Sequence, residues 1–300
     1  MFIAKYTKQL LIITVLIFVV TIGTVATLGI PFGIDFTGGA LTEVSYESRP
    51  SKADLQTALN TEDLGDYSLR EATTEDGKSA FILRTRDLTE SERQEVGDVL
   101  TSVGEGGTIS RFTSIGPVIG EELATKAAWA IVAVVFIIVI YIAFVFRKVA
   151  NPVRSWVYGG IVILVLIHDV LVPAAVMSLL GYFLGAEADV LFIMALLAVL
   201  GYSVNDTIVV FDRVRENLLL SEGKNSESFP HLVGRSVQEA MARSINTSVT
   251  TLAALSALYF LGGDVTKNFA LVLIAGVIAG AYSSICIANP LLIYIAEKQK

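Results

Sequence analysis

The residues of this chain best equipped for chemistry are ionisable and strongly polar groups set inside long apolar runs. His168-Asp169 interrupts the run 157–180, and Ser203, Asn205 and Asp206 interrupt 190–211. Arg243 and Ser244 lead into the run 245–261, which then carries Asn246, Thr247, Ser248, Thr250 and Thr251. A charge at the centre of a bilayer costs about 2.5–3.5 kcal/mol, so such residues need protein or water around them and commonly mark a path for ions or protons. Asp206 is the leading candidate for a carboxylate that gains and loses a proton. Burial favours the neutral acid and a neighbouring guanidinium favours the anion, so a small helix movement can exchange the two. Arg243 is the expected partner, and Asn205 lies beside the carboxylate in sequence. Asp169, nearer mid-membrane, is a second relay candidate. His168 either titrates near neutrality or, as a neutral imidazole, ties helices together.

Helical geometry constrains these roles. Adjacent residues are about 100° apart on a helix, so His168 and Asp169 are expected to serve different contacts. Arg243, Asn246, Thr247 and Thr250 fall on one face, which must meet protein or water; interhelical hydrogen bonding is the simplest use for its side chains. One proton moving down 100 mV releases about 2.3 kcal/mol, which biases an equilibrium between two conformations. The alternative is a non-catalytic membrane scaffold in which Asp206 and Arg243 form a static salt bridge or Asp206 sits at the water interface.

Other chemistries find little purchase. His168 and His231 are the only histidines, and neither H-E-x-x-H nor G-x-S-x-G occurs, which argues against an intramembrane hydrolase. The single cysteine, Cys286, lies in an apolar run, so there is no disulfide framework and no C-x-x-C metal spacing. The chain is expected not to be an enzyme and to need neither metal nor cofactor, with the proton as coupling ion.

The elements that position these residues follow from composition. Of 300 residues, 53% are hydrophobic and 17% charged, a profile of membrane proteins. Six runs are long enough to span hydrocarbon as helices: 10–30, 127–146, 157–180, 190–211, 245–261 and 269–296. The first is too long for a signal-peptide core and is expected to stay as an anchor. Lys5, Lys8, Arg147, Lys148, Arg154, Arg213, Arg215, Lys224, Arg235, Arg243, Lys298 and Lys300 fall on one side of the spans, whereas the short loops opposite carry only Lys267. By the positive-inside rule both termini are cytoplasmic and residues 31–124 lie outside. The division is 1–30 for the tail and first span, 31–124 for the outer domain, and 125–300 for the other five spans, with a cytoplasmic loop at 212–243.

The outer domain reads as α+β: strands near 40–47, 67–72, 80–86 and 108–114, and helices near 52–60 and 90–103. Thr89 and Glu92 form a capping box at the start of the second helix, and Gly65 and Asp76-Gly77 supply turns. This β-α-β-β-α-β order predicts a ferredoxin-like domain. Its acidity, 18 Asp/Glu against 9 Lys/Arg over 31–126, argues against nucleic-acid or anionic-lipid binding, and it has no nucleophile constellation. It is expected to act as a binding or lever module.

Short motifs then point to a family. Gly33-Ile34-Asp35-Phe36-Thr37-Gly38-Gly39 resembles the G-x-D-F-x-G-G signature of the SecD/SecF family. Ser114 to Gly120, with Gly116, Pro117 and Gly120 in place, followed by Glu121-Glu122-Leu123, resembles that family's V-G-P-x-V-G-x-E-L element. The stretch from Gly201 through Asp206 to Asn217, with Arg243 to Ser248 and His168-Asp169, resembles the SecF branch rather than SecD. The resemblance implies a transporter of the resistance-nodulation-division type in the bacterial cytoplasmic membrane. It further implies pairing with SecD, attachment to the SecYEG channel, and use of the proton-motive force to draw unfolded preproteins outward. Its partners are thus SecD, SecYEG, the translocating polypeptide and membrane lipid, with no nucleic acid. The family's proton-path residues fall here on Asp206 and Arg243.

Overall fold

The computed structural model describes residues 2–74, 77–147, 153–221 and 227–299. In chain order the elements are α1 (Phe2–Leu28), α2 (Ile34–Thr37), β1 (Gly39–Tyr46), α3 (Lys52–Leu59), β2 (Ser68–Thr73), β3 (Ser79–Thr85) and α4 (Glu90–Val103). There follow β4 (Thr108–Ile115), α5 (Pro117–Val145), α6 (Ser155–Leu184), α7 (Val190–Ser221), α8 (Phe229–Leu261), α9 (Asp264–Cys286) and α10 (Ala288–Lys298). Residues 32–128 and 187–190 make one compact unit; residues 1–31, 129–186 and 191–300 make another.

The first unit is built on a four-stranded antiparallel sheet in the order β2-β3-β1-β4, the ferredoxin-like arrangement that the β-α-β-β-α-β order predicts. Alternation along the strands turns Val44, Tyr46, Leu69, Phe81 and Leu83 to one face, where Leu55 and Leu59 of α3 and Val96 and Leu100 of α4 complete the core. Helix α4 starts where its sequence says it must. The Thr89 hydroxyl accepts from the Glu92 amide at 3.4 Å while the Glu92 carboxylate takes the Thr89 amide at 2.8 Å. Asp76 of the expected turn lies outside the described residues; the Gly77 amide donates to the Thr74 carbonyl at 2.9 Å.

The second unit is helical. Among the described residues six helices have the length and apolarity to cross a membrane, the sixth counting α9 and α10 together. Helix α9 packs against both α6 and α8, and α1 lies along α6 and α10. Gly276 and Gly280 of α9 make close approach to α7 possible: a Cβ on Gly276 would stand 2.1 Å from Val199 Cγ2, and one on Gly280 3.1 Å from Ser203 Cβ. At one end of the unit, Tyr158 stacks on Phe146 (centroids 5.2 Å apart, planes 2° apart), and Phe211 meets the Tyr158 ring edge-on at 5.2 Å. The break between α9 and α10 at Ile287 frees backbone carbonyls, one of which, Ser284, accepts from Nδ2 of the Asn289 side chain at 2.7 Å.

Two sequence expectations need correction. Most of the loop expected at 212–243 is helical among the described residues: α7 runs on to Ser221 and α8 begins at Phe229, well before the apolar stretch. These extensions are polar outside and pinned inside, since Asn217 donates to Ser236 Oγ at 2.9 Å and to Glu239 at 3.0 Å while Arg213 pairs with Glu239 at 2.6 Å. Hydropathy marks the membrane-depth part of a helix and is blind to its polar continuation. The same reason places the start of the first helix at Phe2 instead of Leu10. Lys148, Lys224 and Lys300 of the topology argument lie outside the described residues.

Candidate functional site

Asp206 sits on α7 and is only 4% exposed. Its Oδ1 accepts a hydrogen bond from Ser244 Oγ of α8 at 3.0 Å, and its Oδ2 is buried without a partner among the described residues. The expected partner, Arg243, is exposed and forms no pair within 4.0 Å with a described carboxylate. Helix geometry explains the exchange: residues 243 and 244 diverge by about 100°, so the helix that aims Ser244 at α7 turns Arg243 away. Asn205, next to Asp206, is exposed for the same reason.

The α8 stripe lies on one face, as its spacing predicts, but its hydroxyls serve their own helix. Thr247 Oγ1 donates to the Arg243 carbonyl at 3.0 Å, Thr250 to Asn246 at 3.0 Å and Thr251 to Thr247 at 2.9 Å. Arg243, Asn246, Thr247 and Thr250 are all exposed on this chain. The cross-helix contacts come from the opposite side: Ser244 to Asp206, and Tyr202 Oη to Ser248 Oγ at 3.2 Å.

A second buried polar cluster lies on α6. Asp169 is wholly buried, and its Oδ1 meets Nδ1 of His168 at 2.8 Å. Its Oδ2 accepts from Ser203 of α7 and from Ser283 of α9, the latter at 2.7 Å. Thus one carboxylate gathers three helices. The two side chains reach different neighbours and also bond each other, because the imidazole folds back so that Nδ1 reaches the next residue's carboxylate. His168 itself lies edge-on to Phe18 of α1 at 5.5 Å and 6.0 Å from the Tyr282 ring. Its Nε2 is buried without a partner among the described residues. Sequence reading missed Ser283; the signal for it was Gly276-x-x-x-Gly280, which closes α9 on α7 and brings the next polar residue on that side inward. Among the described residues no group of three or more His, Cys, Asp and Glu is arranged to hold a metal.

The two glycine-rich motifs meet each other. Gly38 has φ +72° and Gly39 φ +123°, conformations that favour glycine. A Cβ on Gly38 would lie 2.7 Å from Pro117 Cα, one on Gly39 2.5 Å from the Thr85 carbonyl oxygen, and one on Gly120 2.8 Å from the Gly38 nitrogen. The Thr37 hydroxyl donates to the Gly33 carbonyl at 3.0 Å and accepts from Arg84 at 2.6 Å. Phe36 packs edge-on to Phe32, centroids 5.7 Å apart. Asp35 Oδ2 accepts from the amide of Val190 at 2.9 Å, and Gly116 stands open, with only an Asp87 oxygen 4.0 Å from its would-be Cβ.

The sequence profile described as protein export membrane protein SecD/SecF, C-terminal, matches residues 95–298, and that of the SecD/SecF GG motif matches 24–48, around Gly38-Gly39. The chain belongs to the SecD/SecF family. It is 38% identical over 273 residues to the protein translocase subunit SecF of Thermobaculum terrenum, covering 88% of this chain and 84% of that one. It is 32% identical over 301 residues to SecF of Vibrio alginolyticus, covering 99% and 90%. The crystal structure of SecDF, a translocon-associated membrane protein from Thermus thermophilus, superposes with a TM-score of 0.84 at 30% identity. That match covers 99% of this chain, which spans only 39% of the SecDF chain. Within the SecD/SecF family this chain groups with the SecF subunits and is a multi-pass membrane protein with six candidate spans among the described residues.

Proposed function

We propose that this SecF subunit couples the proton-motive force to protein export, with Asp206 as the carboxylate that binds and releases the proton. The observation that carries the reading is the half-satisfied state of Asp206: buried within a long apolar helix, one oxygen held by Ser244, the other without a partner among the described residues. A carboxylate and a carboxylic acid call for different neighbours, since the anion accepts only and the acid must also donate. A movement that brings a donor or the Arg243 guanidinium to the free oxygen, or takes it away, therefore changes proton occupancy. Asp169 is a second relay candidate on the same reading, with His168 hydrogen-bonded to it.

The polar face of α8 supports a helical partner, because Arg243 and Asn246 cannot rest against lipid without cost. On the family's pattern we assign that partner as SecD, and place the pair on the SecYEG channel in the bacterial cytoplasmic membrane, embedded in its lipid, with both termini cytoplasmic. The sheet domain then lies outside, where it meets the emerging unfolded preprotein. The subunit works without catalysis of its own and with no cofactor besides the proton, as a transporter of the resistance-nodulation-division type.

Replacing Asp206 by Asn tests this, since the amide keeps the shape and cannot titrate. The variant should still co-purify with SecD in mild detergent while the gradient-dependent part of export is lost. If export keeps its gradient dependence, the charges are structural and the chain is a scaffold.

A further inference from the structure

The polar contacts between α7 and α8 form one ladder. On α7, Tyr202, Asp206, Arg213 and Asn217 lie within about 60° of one another around the helix axis. Each of them reaches α8: Tyr202 meets Ser248, Asp206 meets Ser244, and both Arg213 and Asn217 meet Glu239. The outermost rung is fully committed. Asn217, 5% exposed, gives its two amide protons to Ser236 Oγ at 2.9 Å and to Glu239 Oε2 at 3.0 Å. Ser236 is wholly buried and spends its own proton on the Leu232 carbonyl at 2.9 Å, so towards Asn217 it only accepts. The same Glu239 oxygen takes Arg213 Nε at 2.6 Å, while Arg213 Nη1 holds Glu216 at 2.6 Å.

This end of the helix pair decides which residue faces Asp206. Turning α8 by one residue, about 100°, is what would replace Ser244 by Arg243. The same turn would set Arg235 before Asn217 in place of Ser236, and Gln238 before Arg213 in place of Glu239. A guanidinium has no acceptor for the Asn217 protons, and an amide offers Arg213 no charge. The outer rung therefore opposes the turn, although Asn217 lies about 16 Å along α7 from Asp206.

We propose that Asn217 and Glu239 are positioning residues for Asp206: they set the rotation of α8 and so keep Ser244 on the carboxylate and Arg243 away from it. The role rests on the proposed proton coupling at Asp206 and deepens it, because it puts control of that residue at the polar end of the two helices.

In a Cys286→Ala background, Val237→Cys reports the rotation. Val237 is fully buried and adjoins exposed Gln238, whose place it takes in the turned helix. Val214→Cys, equally buried on α7, reports any general loosening of the pair. Asn217→Leu keeps the bulk without the donors. In that variant maleimide labelling at 237 should rise about tenfold with labelling at 214 unchanged, and gradient-dependent export should fall by a similar factor. Glu239→Leu should behave alike, whereas Glu239→Gln, which still accepts from Asn217 and Arg213, should label slowly and export normally. Unchanged labelling at 237 in Asn217→Leu overturns the proposal, as does equal acceleration at 214, which would mean that the helices simply part. So does a Glu239→Gln variant indistinguishable from Glu239→Leu, and faster labelling at 237 without a loss of export breaks the link to Asp206. If Asp206→Asn keeps gradient-dependent export, the proton reading falls while labelling still decides what sets the rotation of α8.

Discussion

A Cβ at Gly120 would stand 2.8 Å from the backbone nitrogen of Gly38, so the two glycine-bearing motifs of the sequence are two halves of one contact. Gly38→Ala should therefore suffer twice, from φ +72° and from Pro117 Cα at 2.7 Å. Gly65 has φ +64° with open space around it and isolates the backbone part. Thermal unfolding in detergent should show a cost of about 1–2 kcal/mol for Gly65→Ala and about 1–3 kcal/mol more for Gly38→Ala. Equal costs at the two positions would mean the motifs do not press on each other.

The Asp169 cluster depends on how closely α9 approaches α7. Gly276→Val drives a side chain into Val199, 2.1 Å away, and moves Ser283 from Asp169. Ser283→Ala removes a single hydrogen bond to a carboxylate, a loss of about 1.5–3 kcal/mol. Gly276→Val should cost more than that, and the double variant should lose less than the sum, because separated helices have already broken the Ser283 contact. Additivity in denaturant unfolding would show that the glycine and the serine act independently.

The sheet domain was legible almost residue by residue, because alternation and the Thr89–Glu92 box are local signals. So were the six long apolar helices among the described residues, since hydropathy follows the same composition that the bilayer demands. The sites were less so. Asp206 and Asp169 stand out by charge, but which hydroxyls reach them depends on helix rotation. A rotation of one residue replaces Arg243 by Ser244 as the neighbour of Asp206. Glu187 was invisible for a different reason: it lies in a short loop between two spans and acquires meaning only from Arg70 and Arg84, distant in sequence.

Acid should weaken the start of α4 through Glu92. Its carboxyl is pushed down to about 2, first by the Arg86 hydrogen bond and then by the Thr89 amide and hydroxyl. A depressed folded pKa gives stability that is present above the unfolded value of 4.5 and drains away as pH falls through about 2. Protection of the first α4 amides, taken relative to their intrinsic exchange rates, should fall across that window in the native chain. In Glu92→Gln the same amides should exchange faster at neutral pH and lose this pH dependence; a variant that retains it assigns the effect to another carboxyl.

Alkali should act on Tyr46 in the opposite sense. Its hydroxyl donates to the Leu100 carbonyl at 2.7 Å, and burial pushes the phenol up to about 12 from 10.0. Burial disfavours the phenolate, so the folded state holds its proton longer than the unfolded one. The associated stability is complete below pH 10 and is lost as pH rises toward 12. Tyr46→Phe leaves the Leu100 carbonyl without its donor, at a cost of about 1 kcal/mol near neutrality. The variant should then lose less stability than the native chain between pH 10 and 11, narrowing the gap between them. Parallel curves in detergent unfolding over that range would show that Tyr46 does not control the alkaline limb.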